Sequence, residues 1–204
     1  MLVLAQEFHL HSYTILKVRS LRLDGLSEYE YYLLMELGNE NANRIWEAGL
    51  HHQKGWTKPK GGAARKVKEE WIKSKYLWKG FLEYSAEDGL LQEEREAKFS
   101  VDLYEAARRC DLLAIQEALA KGGSVEWRNK KEGGKTALHI CVVGQPEDET
   151  DMGSWKAIQC AELLIQNGAK LTSADFDQHK ALDCAVVGNG RREMIEYLTA
   201  RSNP

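Results

Sequence analysis

The chain's 204 residues leave room for one or two domains with cores of their own. At 43% hydrophobic and 29% charged with a formal net charge of −3, it has the composition of a soluble globular protein, which argues against a dedicated nucleic-acid binder or an acidic tail. No apolar run approaches the roughly 18–20 residues of a membrane span. Met1-Leu2-Val3-Leu4-Ala5 lacks the basic flank, long apolar stretch and cleavage site of a signal peptide, so a cytoplasmic location is expected.

Residues 1–17 have little periodicity, and Val3-Leu4 and Tyr13-Thr14-Ile15-Leu16 read equally as strand or helix. Val18 to Leu23 alternates apolar and polar residues, which predicts a short strand ending at Asp24-Gly25, with residues 1–17 available to pair with it. Ser27 and Glu30 form a capping box for a helix that presents Leu33, Leu34 and Leu37 to a core and stops at Gly38-Asn39. A second short helix carries Ala42, Ile45 and Trp46 and ends near Gly49. Lys54 to Gly62, with Pro59 and Gly61-Gly62, is a turn-rich connector. Arg65 to Lys79 is amphipathic: Val67, Trp71 and Trp78 form a stripe that Ile72 and Tyr76 widen. Glu83 to Glu96 is acidic and predicts a polar helix or linker, with a domain boundary at about residues 85–99.

The stretch from Lys54 to Lys79 is rich in cations, and Lys58, Lys60, Arg65, Lys66, Lys68, Lys73 and Lys75 are a candidate basic patch. Its plain reading is a solvated helix face; the functional reading is contact with an anionic membrane surface or an acidic partner. Trp56, Trp71 and Trp78 interleave with these charges but fall at core spacing, and no nucleic-acid motif accompanies them, so no nucleic-acid partner is expected. His9-Leu10-His11 and His51-His52 lack cysteine or a well-spaced acidic partner, which argues against a metal site. Cys110, Cys141, Cys160 and Cys184 are widely separated and read as buried thiols on helices in a reducing compartment.

Beyond the boundary the pattern repeats. Leu103-Tyr104-Glu105-Ala106-Ala107 leads to Gly122-Gly123-Ser124-Val125. Lys135-Thr136-Ala137-Leu138-His139 leads to Asn167-Gly168-Ala169, and Lys180-Ala181-Leu182-Asp183 opens a third unit. The Thr-Ala-Leu-His start and the Leu-Leu-x-x-Asn-Gly-Ala close resemble ankyrin repeats. In that reading Thr136 and His139 tie the turn, Leu138 stacks one helix pair on the next, and Gly168 ends a helix in a left-handed conformation. The middle unit is about eleven residues longer than the roughly 33-residue ankyrin repeat, and its acidic excess, Gln145 to Ser154, is expected as an exposed loop. Trp127, Arg128, Asp175 and Asp177 are candidates for a concave, protein-binding face.

Ahead of the repeats, Val18-Arg19-Ser20-Leu21, Leu37-Gly38-Asn39-Glu40-Asn41 and Lys68-Glu69-Glu70-Trp71-Ile72-Lys73-Ser74-Lys75-Tyr76 resemble the second half of the Arf GTPase-activating (ArfGAP) domain. An ArfGAP domain running into ankyrin repeats resembles the coiled-coil, ankyrin and PH (ACAP) type. The resemblance implies a mainly α fold: an atypical segment over residues 1–17, a truncated ArfGAP domain over 18–84, a polar linker over 85–100 and three repeats over 101–129, 130–175 and 176–204. It implies an Arf-type GTPase as partner, contacted through Arg19, Asp24, Asn39 and Asn43, and work in membrane traffic at endosomal or plasma membranes. The family's four-cysteine zinc module and arginine-bearing loop stand upstream of the Val-Arg-Ser-Leu strand. Residues 1–17 contain no cysteine, so no zinc and no catalytic residue are expected in this stretch. An arginine finger is worth on the order of 10³–10⁵ in rate, and nothing in the spacing of Arg22, Arg44 or Arg65 marks a substitute. Three readings follow: a family member that binds without stimulating hydrolysis, an active GTPase activator whose zinc-bearing half lies outside this sequence, and a plain ankyrin interaction protein.

Overall fold

The computed structural model describes residues 2–4, 17–19, 25–84, 89–144, 151–188 and 191–202, with backbone alone for 2–4, 17–19 and 151–154. The fold is mainly α, and the chain divides into two compact units: Met1–Gly25 with Leu37–Leu90, and Leu26–Glu36 with Leu91–Pro204.

In the first unit, β1 (Leu2–Leu4) and β2 (Lys17–Arg19) pair antiparallel with Val3 opposite Val18. The front segment therefore supplies a partner for the expected strand, whose remainder beyond Arg19 lies outside the described residues. Helix α1 (Glu28–Trp46) opens with the expected capping box: Ser27 N–H donates to Glu30 Oε2 at 2.9 Å, and Glu30 N–H donates to Ser27 Oγ at 3.2 Å. It breaks at Gly38, where φ is 54° and ψ 160°, so the two short helices expected on either side of that glycine are both present. The half after the break belongs to the first unit. Its core is small and aromatic: Trp71 lies 4.7 Å from Phe81 and Trp46 lies 5.0 Å from Tyr76, with Leu37 and Leu82 also buried.

Helix α2 (Arg65–Ile72) runs into a π-helical turn over Lys73–Leu77, in which Trp78 N–H donates to Lys73 O at 3.0 Å. This corrects the expected stripe. Trp71 is buried, whereas Trp78 is 64% exposed and Ile72 is exposed as well. An i→i+5 turn advances the helix face more slowly than an α turn, so the position seven residues after Trp71 no longer faces the core. Ser74 and Lys75 occupy the inward positions instead. Val67 is exposed too, because the ring cluster does not extend to that turn. Trp56, expected in the core, meets Phe81 at 5.2 Å while remaining 40% exposed.

The second unit is a stack of helix pairs: α3 (Gln92–Arg108) with α4 (Leu112–Lys121), α5 (Ala137–Cys141) with α6 (Asp151–Gln166), and α7 (Ala181–Val187) with α8 (Arg192–Ser202). First helices pack on first helices and second on second, the nearest-neighbour pattern of a solenoid. Leu103, Ala107, Ile115, Leu138, Cys141, Cys160, Leu164, Ala185 and Leu198 fill the core. The acidic stretch up to Glu96 enters α3, which begins at Gln92. The expected loop Gln145 to Ser154 is shorter than predicted, since α6 already begins at Asp151; residues 145–150 lie outside the described residues. The half of α1 before Gly38 packs in this unit, with Tyr29 edge-on to Tyr197 at 4.8 Å and Tyr32 5.5 Å from Trp155.

The turn chemistry follows the repeat motif. Thr136 is buried, and its Oγ1 meets His139 Nδ1 at 2.7 Å while its N–H donates to the same nitrogen at 3.2 Å. His139 Nε2–H then donates to His179 O at 3.0 Å, linking one turn to the next. Leu138 is buried beside them, and Gly168 closes α6 at φ 96°.

Candidate partner-binding site

The half of α1 after Gly38 carries two of the residues expected to meet a partner, and the structure separates their roles. Asn39 is exposed. Asn43 is turned inward, where its Oδ1 accepts from Lys75 Nζ. Lys75 is the correction to the basic patch: it is 3% exposed and cannot face a membrane or an acidic surface. Its ammonium donates to Glu47 Oε1 at 2.6 Å and sits 5.0 Å from the centre of the Tyr76 ring. Glu47 Oε2 accepts from Lys58 Nζ at 2.9 Å. The patch has thus turned part of its charge into an internal network, because the π turn carries Lys75 into a site where only a paired ammonium is tolerated.

The electrostatics agree with that geometry. Burial pushes the Glu47 carboxyl up, but hydrogen bonds and charge from Lys75 and Lys58 outweigh it and leave it below its ordinary value. Burial lowers Lys75, against the opposing pull of Glu47. Burial, with Glu47 adding to it, raises the Tyr76 hydroxyl to about 12.

Lys60, Arg65, Lys66, Lys68 and Lys73 remain exposed on the connector, α2 and the start of the π turn. Arg65 pairs with Glu69 at 2.7 Å, and Lys68 Nζ donates to Gly61 O at 2.5 Å. Val67, Ile72, Leu77 and Trp78 are exposed on the same segment. Cations beside exposed apolar groups can meet an acidic surface while burying their own stems. The side chain of Arg19 and the whole of Asp24 lie outside the described residues.

In the repeats, three of the four concave-face candidates are engaged internally. Asp175 is buried, and its Oδ1 accepts from the N–H groups of Asp177 and His179 at 3.0 and 2.9 Å. Arg128 donates to the carbonyls of Ala174 and Gly134. Trp127 lies against Tyr104 at 5.7 Å, and Asp177 is exposed. Asp175 and Arg128 thus satisfy backbone groups of the turns, whereas Trp127 is held by a ring contact and stays half-buried. Sequence reasoning missed Glu162, which is fully buried and accepts from Tyr197 Oη at 2.6 Å, from Gln166 Nε2 at 2.7 Å and from Arg201. The available signal was an acid inside the apolar run Cys160-Ala161-Glu162-Leu163-Leu164. Glu47 was also missed, and it has no comparable local signal.

The chain thus combines a unit carrying a run of exposed cations with a stack of ankyrin-type helix pairs. A family model described as "Putative GTPase activating protein for Arf" matches residues 7–85, and an ankyrin-repeat model matches residues 133–176. The "Arf-GAP with coiled-coil, ANK repeat and PH domain-containing protein 2" of Gallus gallus is 36% identical over 84% of this chain, and that of Mus musculus is 28% identical over 84%. Protein 3 of the same name from Homo sapiens is 46% identical over 32% of the chain. The chain belongs to the family of Arf GTPase-activating proteins with ankyrin repeats. It spans about 30% of the length of the first two relatives. The cysteines do not fit the family's four-cysteine zinc module: all four are free, buried and in the second unit, and no cysteine enters a metal-ligating cluster among the described residues.

Proposed function

We propose that the first unit binds an Arf-type GTPase, that the repeats bind a protein ligand, and that these 204 residues by themselves do not accelerate GTP hydrolysis. On this reading the chain regulates another protein's hydrolysis and is not itself an enzyme. The names of the relatives support the GTPase as partner. The binding-only role is supported by the arginines whose side chains are described in the first unit. Arg44 pairs with Glu40 at 3.2 Å and Arg65 with Glu69 at 2.7 Å, each one turn away along its own helix. Neither stands on a loop that would deliver a guanidinium to a transferring phosphoryl group.

The test uses the purified 204-residue chain with GTP-loaded Arf. Retention in a pull-down with no change in single-turnover phosphate release is the expected result. Accelerated release would overturn the binding-only role. Failure to retain Arf would overturn the partner and leave a plain ankyrin interaction protein.

A further inference from the structure

At the end of α1 the chain makes a 3-10 turn over Leu50–His52, and the segment Phe81-Leu82-Glu83 returns alongside it. The two are locked by backbone. Gly49 N–H donates to Phe81 O at 2.8 Å, and a Cβ at Gly49 would stand 2.6 Å from Leu82 O, so the close approach requires the glycine. This apposition brings His51, His52 and Glu83 together, with one ligand atom of each within 4.8 Å of the others. His52 Nε2 faces Glu83 Oε2 at 3.2 Å. The imidazole of His51 lies 3.8 Å from that of His52, centre to centre.

We propose that His51, His52 and Glu83 form a binding site for Zn²⁺ or a similar first-row transition ion. Three observations carry it. Two imidazoles and one carboxylate are a zinc donor set, and imidazole favours such ions over Mg²⁺ or Ca²⁺. Zinc bonds of about 2.0–2.2 Å to nitrogen and oxygen place two tetrahedral ligands about 3.3 Å apart, which is the separation already present between His52 and Glu83. Finally, Ala48 O can only accept, so the 2.9 Å contact from His51 Nδ1 fixes the proton there and leaves Nε2 with a lone pair. Ring nitrogens of metal-binding histidines are commonly oriented by such a backbone bond. The His52 side chain is 61% exposed and that of Glu83 33%, so water or a partner's side chain has access to a fourth position. The ion would staple the turn after α1 to the end of the unit.

The cluster Asp175, Asp177 and His179 is the weaker alternative, because Asp175 Oδ1 is already committed to two backbone N–H groups. It provides the control.

The experiment titrates the full chain with Zn²⁺ by calorimetry, and with Co²⁺ by absorption. One ion per chain is expected, without a thiolate-to-cobalt charge-transfer band. His52→Ala and Glu83→Gln should each weaken binding at least about tenfold, and His51→Ala/His52→Ala should abolish it, while His179→Ala leaves it unchanged. Imidazole ¹⁵N spectra of the unsubstituted chain supply a readout independent of variant folding: Zn²⁺ should shift the ring nitrogens of His51 and His52. No binding, binding unaltered in the double variant, loss in His179→Ala, or unshifted His51 and His52 rings would each overturn the proposal.

Discussion

Removing one partner of a buried ion pair costs about 3–5 kcal/mol because the other charge is left without compensation, whereas replacing both by apolar or neutral groups is often close to neutral. Lys75 and Glu47 invite that comparison, with side chains 4% and 13% exposed. Lys75→Ala should cost the first unit less than that, about 1–3 kcal/mol, because Glu47 keeps its bond to Lys58 while Asn43 Oδ1 loses its donor. Lys75→Met combined with Glu47→Gln should recover at least half of that loss in urea unfolding followed by tryptophan fluorescence. A double variant as unstable as the single one would show that the pair is worth more than its desolvation. The Thr136–His139 tie was legible because its partners stand three residues apart in a recognisable repeat start. The Lys75–Glu47 pair was not, since 28 residues separate the partners and nothing local distinguishes a buried lysine from its exposed neighbours.

Helix boundaries were legible where one residue type is required by the backbone. Gly38 adopts φ 54° and ψ 160°, a region that side chains disfavour, so Gly38→Ala should destabilise by about 1–3 kcal/mol. A lowered thermal midpoint checks this; an unchanged one would mean that α1 runs on through the substituted position at no cost. The Ser27–Glu30 box was readable for a related reason, as both of its hydrogen bonds are local. The π turn at Lys73–Leu77 was not readable. Apolar spacing was interpreted with the α period, and the slower rotation of that turn moved Trp78 outward and Lys75 inward. For the same reason residue spacing did not distinguish Lys75, which is buried, from Lys60, Lys66 and Lys73, which are exposed.

Taken as a molecule, the chain keeps its four thiols within the repeat unit, all free and buried. Burial raises the Cys160 thiol well above its ordinary value, and a hydrogen bond with Cys110, together with burial, does the same for Cys141. Ellman's reagent should therefore label the native chain slowly and all four thiols quickly in denaturant, with labelling tracking the loss of repeat-unit structure. Labelling of two or more thiols in native buffer at the denatured rate would contradict the packing. The repeat architecture and the family could be read from the chain alone, because repeat starts, caps and glycine stops are local patterns set by backbone hydrogen bonding. Which charges face solvent, which aspartate serves a turn, and that His51, His52 and Glu83 meet were decided only by tertiary structure. Those outcomes depend on segments far apart in the chain being brought together, and on the phase of a single turn, neither of which local residue spacing encodes.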